Sequence, residues 1–192
     1  MKAVLISIQP KWCELIASGK KTVEVRKTKP KLETPFKCYI YETQGKTETP
    51  WIDEDGHVIF KGRGQVIGEF VCNKIEDLRY DALEMTYFSR KYRDAKLLDE
   101  EFFPGTQVTY QKAYEYCEGM SYGEEYSDLF YGWHISDLVI YDKPRALSEF
   151  FYACNKPKYT DCSVCLDHKE NRCKAITRPT QSWCYVESED TE

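Results

Sequence analysis

Lys21, Glu24 and Arg26, three charged side chains of both signs, lie close together in the stretch Gly19-Lys20-Lys21-Thr22-Val23-Glu24-Val25-Arg26. Val23 and Val25 alternate with Thr22, Glu24 and Arg26. A period of two predicts a strand with the valines in a core and the polar residues on its other face. Lysine and arginine suit phosphate or carbonyl oxygens, and a carboxylate accepts from the amino group of a cytosine-type edge. A lysine beside a carboxylate also suits general acid–base work. The plainer alternative is a solvated, charged edge strand.

A second constellation lies near the other end. Cys154, Cys162, Cys165 and Cys173 follow the pattern C-x7-C-x2-C-x7-C among polar neighbours. A segment too polar to build a core needs another source of stability, and a Zn²⁺ held by four thiolates supplies one. His168 and Cys184 are reserve ligands. With all four positions filled the ion has no open site for catalysis, so the expected cofactor is a structural zinc. Disulfides and unligated thiols are the alternatives.

The elements that position the charged stretch can be read in order. Residues 1–8 predict a central strand, apolar on both faces. Pro10 to Ser18 predicts a helix, with Pro10 in its first turn and Gly19 just past its end. Trp12, Leu15 and Ile16 form its apolar stripe, and Trp12 reads as core more than as cleft wall. The connector 27–35 carries Lys27, Lys29 and Lys31, either a solvated loop or an arm for phosphate. Residues 36–43 alternate, with Cys38 and Ile40 facing one way and Tyr39 and Tyr41 the other. Asp55-Gly56 predicts a hairpin turn. Gln65 to Cys72 predicts a strand in which Gly68-Glu69 marks a bulge or close approach, and Glu69 is a second candidate carboxylate for the cleft. Residues 73–131 are acidic, tyrosine-rich and helical in character, broken at Pro104-Gly105. A strand returns at Trp133 to Tyr141, where His134 reads more as a sheet-bound histidine than as a proton donor. A short helix follows around 146–152. Cys184 falls in a buried strand, Ser182-Trp-Cys-Tyr-Val186.

The whole chain of 192 residues has a net charge of −5, which argues against a generic nucleic-acid-coating protein. Its distribution is uneven: residues 1–40 carry a local balance of +6 and residues 75–128 one of −7. A basic front and an acidic back suit a protein that presents one face to an anion. No signal-peptide core and no run of bilayer length is visible, so a cytoplasmic protein without membrane association is expected. Nine cysteines in a reducing compartment point to thiols and metal ligands over disulfides.

Gly19, Lys21, Glu24 and Arg26 match the pattern Gly-x-Lys-x-x-Glu-x-Arg and resemble the signature of the ASCH domain. The passage Gly132-Trp-His-Ile-Ser-Asp-Leu-Val-Ile-Tyr-Asp-Lys-Pro144 resembles that family's closing strand. The resemblance implies an α+β chain with a PUA-like β-barrel and flanking helices over residues 1–150, in which the acidic segment at about 73–131 is an insertion; the cysteine pattern adds a zinc-binding tail over 151–187, expected to pack on the barrel. The resemblance also implies binding of single-stranded RNA or of a modified nucleoside or nucleotide by Lys21, Glu24 and Arg26, with Tyr41, Trp133, Tyr39 or Trp183 available to stack on a base. Some ASCH proteins remove the acetyl group of N4-acetylcytidine with a lysine, a threonine and a glutamate, and others are linked to ribonuclease activity. Lys21 matches that lysine, but Glu24 stands where the threonine would be, Thr22 is elsewhere in the motif, and Glu69 is the remaining carboxylate. A hydrolase using Lys21 and Glu24 is therefore the alternative to a binding module. A regulatory domain that engages a protein partner through the zinc tail is a third.

Overall fold

The computed structural model describes residues 1–44, 51–52, 58–59, 61–81, 101–117, 127–153 and 174–189. The elements in chain order are β1 (Lys2–Ile8), α1 (Pro10–Ala17), β2 (Val23–Arg26), β3 (Phe36–Glu42), the short pair β4 (Trp51–Ile52) and β5 (Val58–Ile59), β6 (Gln65–Asp81), α2 (Tyr110–Cys117), β7 (Ser127–Arg145) and β8 (Trp183–Glu187). Six strands form one mixed sheet in the order β2-β7-β6-β3-β1-β8, in which only β1 and β3 run parallel. This is an α+β architecture with few helices.

The parallel pair requires a crossover, and α1 with β2 lies within it. Pro10 occupies the first helical position, where its missing N–H costs nothing, and Gly19 takes φ 73° after the last turn. The Lys21 N–H then returns to the Leu15 carbonyl, which aims the chain into β2.

Register shifts at Val66/Gly68, Glu69/Val71 and Cys72/Ile75 interrupt the long β6–β7 ladder. Such bulges bend and twist a strand pair. A Cβ on Gly68 would come within 2.4 Å of the Val139 carbonyl oxygen, so glycine permits the close approach foreseen there. The sheet curls until its two edges meet through side chains. Arg26 on β2 donates to the Ser7 carbonyl on β1, Trp183 on β8 donates to Thr28 Oγ1, and Trp183 packs 6.0 Å from Trp133.

β1 is buried from Ala3 to Ile8, because alternate residues feed cores on both sides of the sheet. Val4, Ile6, Ile8, Cys38, Ile40, Phe70 and Trp133 pack under α1 with Cys13 and Ile16. Ala3, Leu5, Tyr39, Tyr41 and Val66 pack with Phe150, Ile176 and Val186 on the other side. The two-faced reading of β3 thus has a physical basis: Cys38 and Ile40 enter one core, Tyr39 and Tyr41 the other.

Two expectations need correction. Residues 73–81 and 127–131 are not helical; they extend β6 and β7. Among the described residues between them, helix is confined to Tyr110–Cys117. β7 continues past Tyr141 to Arg145, and the short helix expected around 146–152 is a single 3-10 turn, Leu147–Glu149. Asp55-Gly56 and the four cysteines Cys154, Cys162, Cys165 and Cys173 lie outside the described residues, although Trp51–Ile52 does pair antiparallel with Val58–Ile59.

Ile6 is fully buried among close-packed side chains, whereas Val139 is half exposed. Ile6→Ala is expected to lower unfolding free energy by about 2–5 kcal/mol in urea titration, and Val139→Ala by less than about 0.5 kcal/mol. Equal costs would contradict this placement of the core.

Candidate functional site

β2 is buried on both faces, which its alternation did not predict. Val23 is 2 % exposed and Val25 packs against Leu78, Ala113 and Phe130, yet Glu24 and Arg26 are only 6 % and 8 % exposed, and Lys21 2 %. Of Lys21, Thr22, Glu24 and Arg26, only Thr22 is exposed. Buried charges persist only when paired and hydrogen-bonded. Here Glu24 provides the pairing. Its Oε1 lies 2.9 Å from Arg26 Nη2 and its Oε2 3.4 Å from Lys21 Nζ.

Each cation has further partners. Lys21 Nζ donates to the Thr106 carbonyl and sits 5.0 Å above the Trp12 ring. Arg26 Nη2 donates to the Ser7 carbonyl at 2.7 Å, while the buried Arg26 Nε has no acceptor. Burial lowers the pKa of Lys21 below the usual lysine range, against the pull of Glu24, which raises it.

The segment holding Thr106 is fastened along the start of β2. The Gly105 carbonyl accepts from the N–H groups of both Thr22 and Val23. Gly105 has φ 84°, and a Cβ there would lie 2.3 Å from Thr22 Oγ1, so the approach needs glycine. Thr106 Oγ1 donates to the Phe103 carbonyl and closes the turn. Thr109 then accepts from the Lys112 N–H at the start of α2.

These elements enclose a cavity of about 390 Å³. Lys21, Glu24, Arg26 and Ser7 form its charged and polar part. Trp12, Phe102, Val108, Tyr116 and Phe130 supply apolar wall, and Gln9, Thr43, Lys112 and Gln181 add polar groups. The described part of the 73–131 region therefore lines the cleft. Gln181, beyond the cysteine segment, reaches it too, because the carbonyls of Ser182 and Thr180 accept from Ser7 N–H and Oγ–H.

Lys21, Glu24 and Arg26 are thus brought together. The other candidates are not. Tyr41 is buried in the core beside Phe150, and Trp133 has no exposed surface, its ring edge-on to Phe36. Neither lines the cavity, and nor do Tyr39 and Trp183. Glu69 accepts from Lys37 and Tyr141 away from the cleft. His134 is sheet-bound as expected, 2.7 Å from Glu76. Trp12, read as core, is a cleft wall that touches the core. The residues missed were Ser7, Phe102, Val108, Lys112 and Tyr116. Ser7 had a signal, as the one hydroxyl inside the apolar run Ala3–Ile8. Lys112 and Tyr116, four apart after a Thr109 cap, had a helical one.

The sequence profile of the ASCH domain matches residues 6–142, most of the sheet and all three charged residues of the cleft. The chain belongs to the ASCH domain family. Among solved structures it is similar to the ASCH protein of Zymomonas mobilis, with 22% identity over 76% of this chain and 73% of that one and a TM-score of 0.45. A tyrosine-to-phenylalanine mutant of that protein matches at 20% identity over 77% of each chain, also with a TM-score of 0.45. A search among curated proteins finds no significant match. No helix among the described residues is long and apolar enough to cross a membrane.

Glu24→Gln removes the carboxylate paired with two buried cations. It is expected to lower unfolding free energy by roughly 3–5 kcal/mol and to move the Lys21 titration, followed through its Cε resonance, further down. The sign follows from linkage. Because burial depresses the Lys21 pKa in the folded state, the unfolded chain binds that proton more tightly. The penalty is fully present below the folded value and vanishes as pH rises toward the ordinary lysine value of about 10.4. An unchanged Lys21 titration in Glu24→Gln would contradict the pairing.

Proposed function

We propose that the protein binds RNA or a modified nucleoside by taking one base into the Lys21–Glu24–Arg26 cleft. The observation that carries this reading is the convergence of a carboxylate and two cations in a cavity with aromatic walls. Pockets for small ligands span roughly 300–1,000 Å³, and the observed volume is near the lower end. A single nucleoside or nucleotide suits that size better than a run of stacked bases. Glu24 offers an acceptor for a base amino group, Lys21 and Arg26 offer donors to a carbonyl or phosphate, and Trp12, Phe102 and Tyr116 replace Tyr41 and Trp133 as the aromatic contacts.

A hydrolase at the same cleft is the second reading, favoured by the lowered pKa of Lys21 beside Glu24. A lysine closer to neutrality exchanges protons more readily than a solvated one. The Thr106 hydroxyl is occupied by the Phe103 carbonyl, and Thr22 is exposed, so neither supplies an evident nucleophile.

For the tail, the proposed role is a structural zinc held by Cys154, Cys162, Cys165 and Cys173. Tyr152 N–H donates to the Lys174 carbonyl, and Phe151 bridges Ala175, so the two ends of the cysteine segment are held side by side. This supports the zinc reading, because one ion shared by four thiolates needs a segment whose two ends return to each other. Free thiols at Cys13, Cys38, Cys72 and Cys184 suit a reducing, cytoplasmic setting. A zinc tail of this kind also offers a surface for a protein partner.

Incubation of the protein with N4-acetylcytidine and with single-stranded RNA, following both binding and products, separates the readings. Salt-sensitive RNA binding that falls about tenfold or more in Lys21→Ala or Arg26→Ala, without turnover, is the expected result. Turnover abolished by Lys21→Ala would favour the hydrolase instead. Absence of both would refute the nucleotide reading. Elemental analysis is expected to find one zinc per chain under reducing conditions, and none would refute the metal site.

A further inference from the structure

Resting on the nucleotide reading of this cleft, we infer that its guest is a ribonucleoside or a unit of an RNA strand, held by its sugar hydroxyls at a subsite formed by Gln9, Thr43 and Gln181. These residues come from distant parts of the chain and gather at the C-terminal end of β1. Gln9 follows β1 directly. Thr43 follows β3, and its N–H donates to the Ile8 carbonyl. Gln181 lies between Thr180 and Ser182, whose carbonyls accept from Ser7 Oγ–H and N–H. All three line the cavity.

None of the three side chains carries a charge, and none has a hydrogen-bond partner among the described residues. Each can both donate and accept. The other lining groups differ in chemistry. Lys21, Glu24 and Arg26 are engaged with one another and with backbone carbonyls. The Phe102 and Tyr116 rings pack against Phe130, 6.3 and 5.5 Å between centres, and make an aromatic region beside α2. A ribonucleoside is divided in the same way, into a flat base suited to aromatic contact and a sugar whose neutral hydroxyls donate and accept. An apolar group placed beside Gln9, Thr43 and Gln181 would displace water from two amides and a hydroxyl and return no hydrogen bonds. A ribose returns them. The 2′-hydroxyl is what distinguishes RNA from DNA, and a site that hydrogen-bonds a hydroxyl rejects the analogue lacking it.

The experiment is a titration of the full chain with the four ribonucleosides and their 2′-deoxy counterparts, deoxyuridine standing in for thymidine. Single-stranded oligoribonucleotides and oligodeoxyribonucleotides of matched sequence are titrated alongside, and the series is repeated for the double variant Gln9→Ala/Gln181→Ala. Both positions are exposed, so the truncation spares the core. At least one ribonucleoside or oligoribonucleotide is expected to bind about tenfold or more tightly than its deoxy form, and the double variant to bring that ratio to within about twofold of one. A preference seen with free nucleosides identifies a small guest, and one seen only with oligonucleotides identifies a strand; either upholds the subsite. Equal binding of the two sugars by the unaltered protein would overturn the ribose inference while leaving the nucleotide reading in place. A preference unchanged in the double variant would overturn the assignment to Gln9 and Gln181. No binding by any probe would overturn the nucleotide reading and this inference with it.

Discussion

A single carboxylate holds two buried cations together, and the cleft depends on it. Removing an ammonium and a guanidinium from water costs several kcal/mol each unless charge and hydrogen bonds are returned. Glu24 returns the charge. The Ser7 and Thr106 carbonyls return hydrogen bonds. These partners come from distant parts of the chain, so the arrangement also records the fold: Ser7 is on β1, the charged residues lie in or just before β2, and Thr106 belongs to the excursion between β6 and β7. The curl of the sheet brings the first two together, and the Gly105 contact with β2 fixes the third.

The same construction gives the cleft chemically different sides. Its charged side rests on strands whose positions are set by ladders and cores. Its apolar side comes largely from residues 102–116, packed through Phe102, Val108 and Ala113 onto Leu78, Phe130 and Val25. Preorganised charge on a rigid support discriminates between guests because little has to move when one arrives. The opposing wall sets the shape of the cavity and adds Lys112 to its lining. The cleft therefore combines a floor from the sheet with a wall that the chain adds in its middle.

Much of the fold was legible because it follows from local rules. Pro10 and Gly19 bracket α1, β3 divides its residues between two cores, and Gly68 marks close approach. The charged triad was legible for its compact spacing. What failed was the assumption that a polar face is an exposed one. The alternation in β2 separates valines from charges but contains no information on the second layer that covers the charges. Aromatic residues misled for a related reason. Trp133 and Tyr41 point into the two cores, where packing takes the whole ring, whereas Trp12 lies at the edge of a helix stripe and keeps a face for the cleft. Phe102, Lys112 and Tyr116 lie some eighty residues from the motif they face. No periodicity links them, since tertiary contact alone brings them there.

The central claim is that one nucleotide enters among Lys21, Glu24 and Arg26. Photo-crosslinking with 4-thiouridine 5′-monophosphate, followed by peptide mass spectrometry, tests it most directly because it reports position without presuming activity. The account predicts crosslinks on the peptides that contain Trp12, Phe102 or Tyr116, competed away by unlabelled nucleotide. Competable crosslinks confined to peptides remote from the cavity, such as the Val139–Tyr141 stretch, would contradict it.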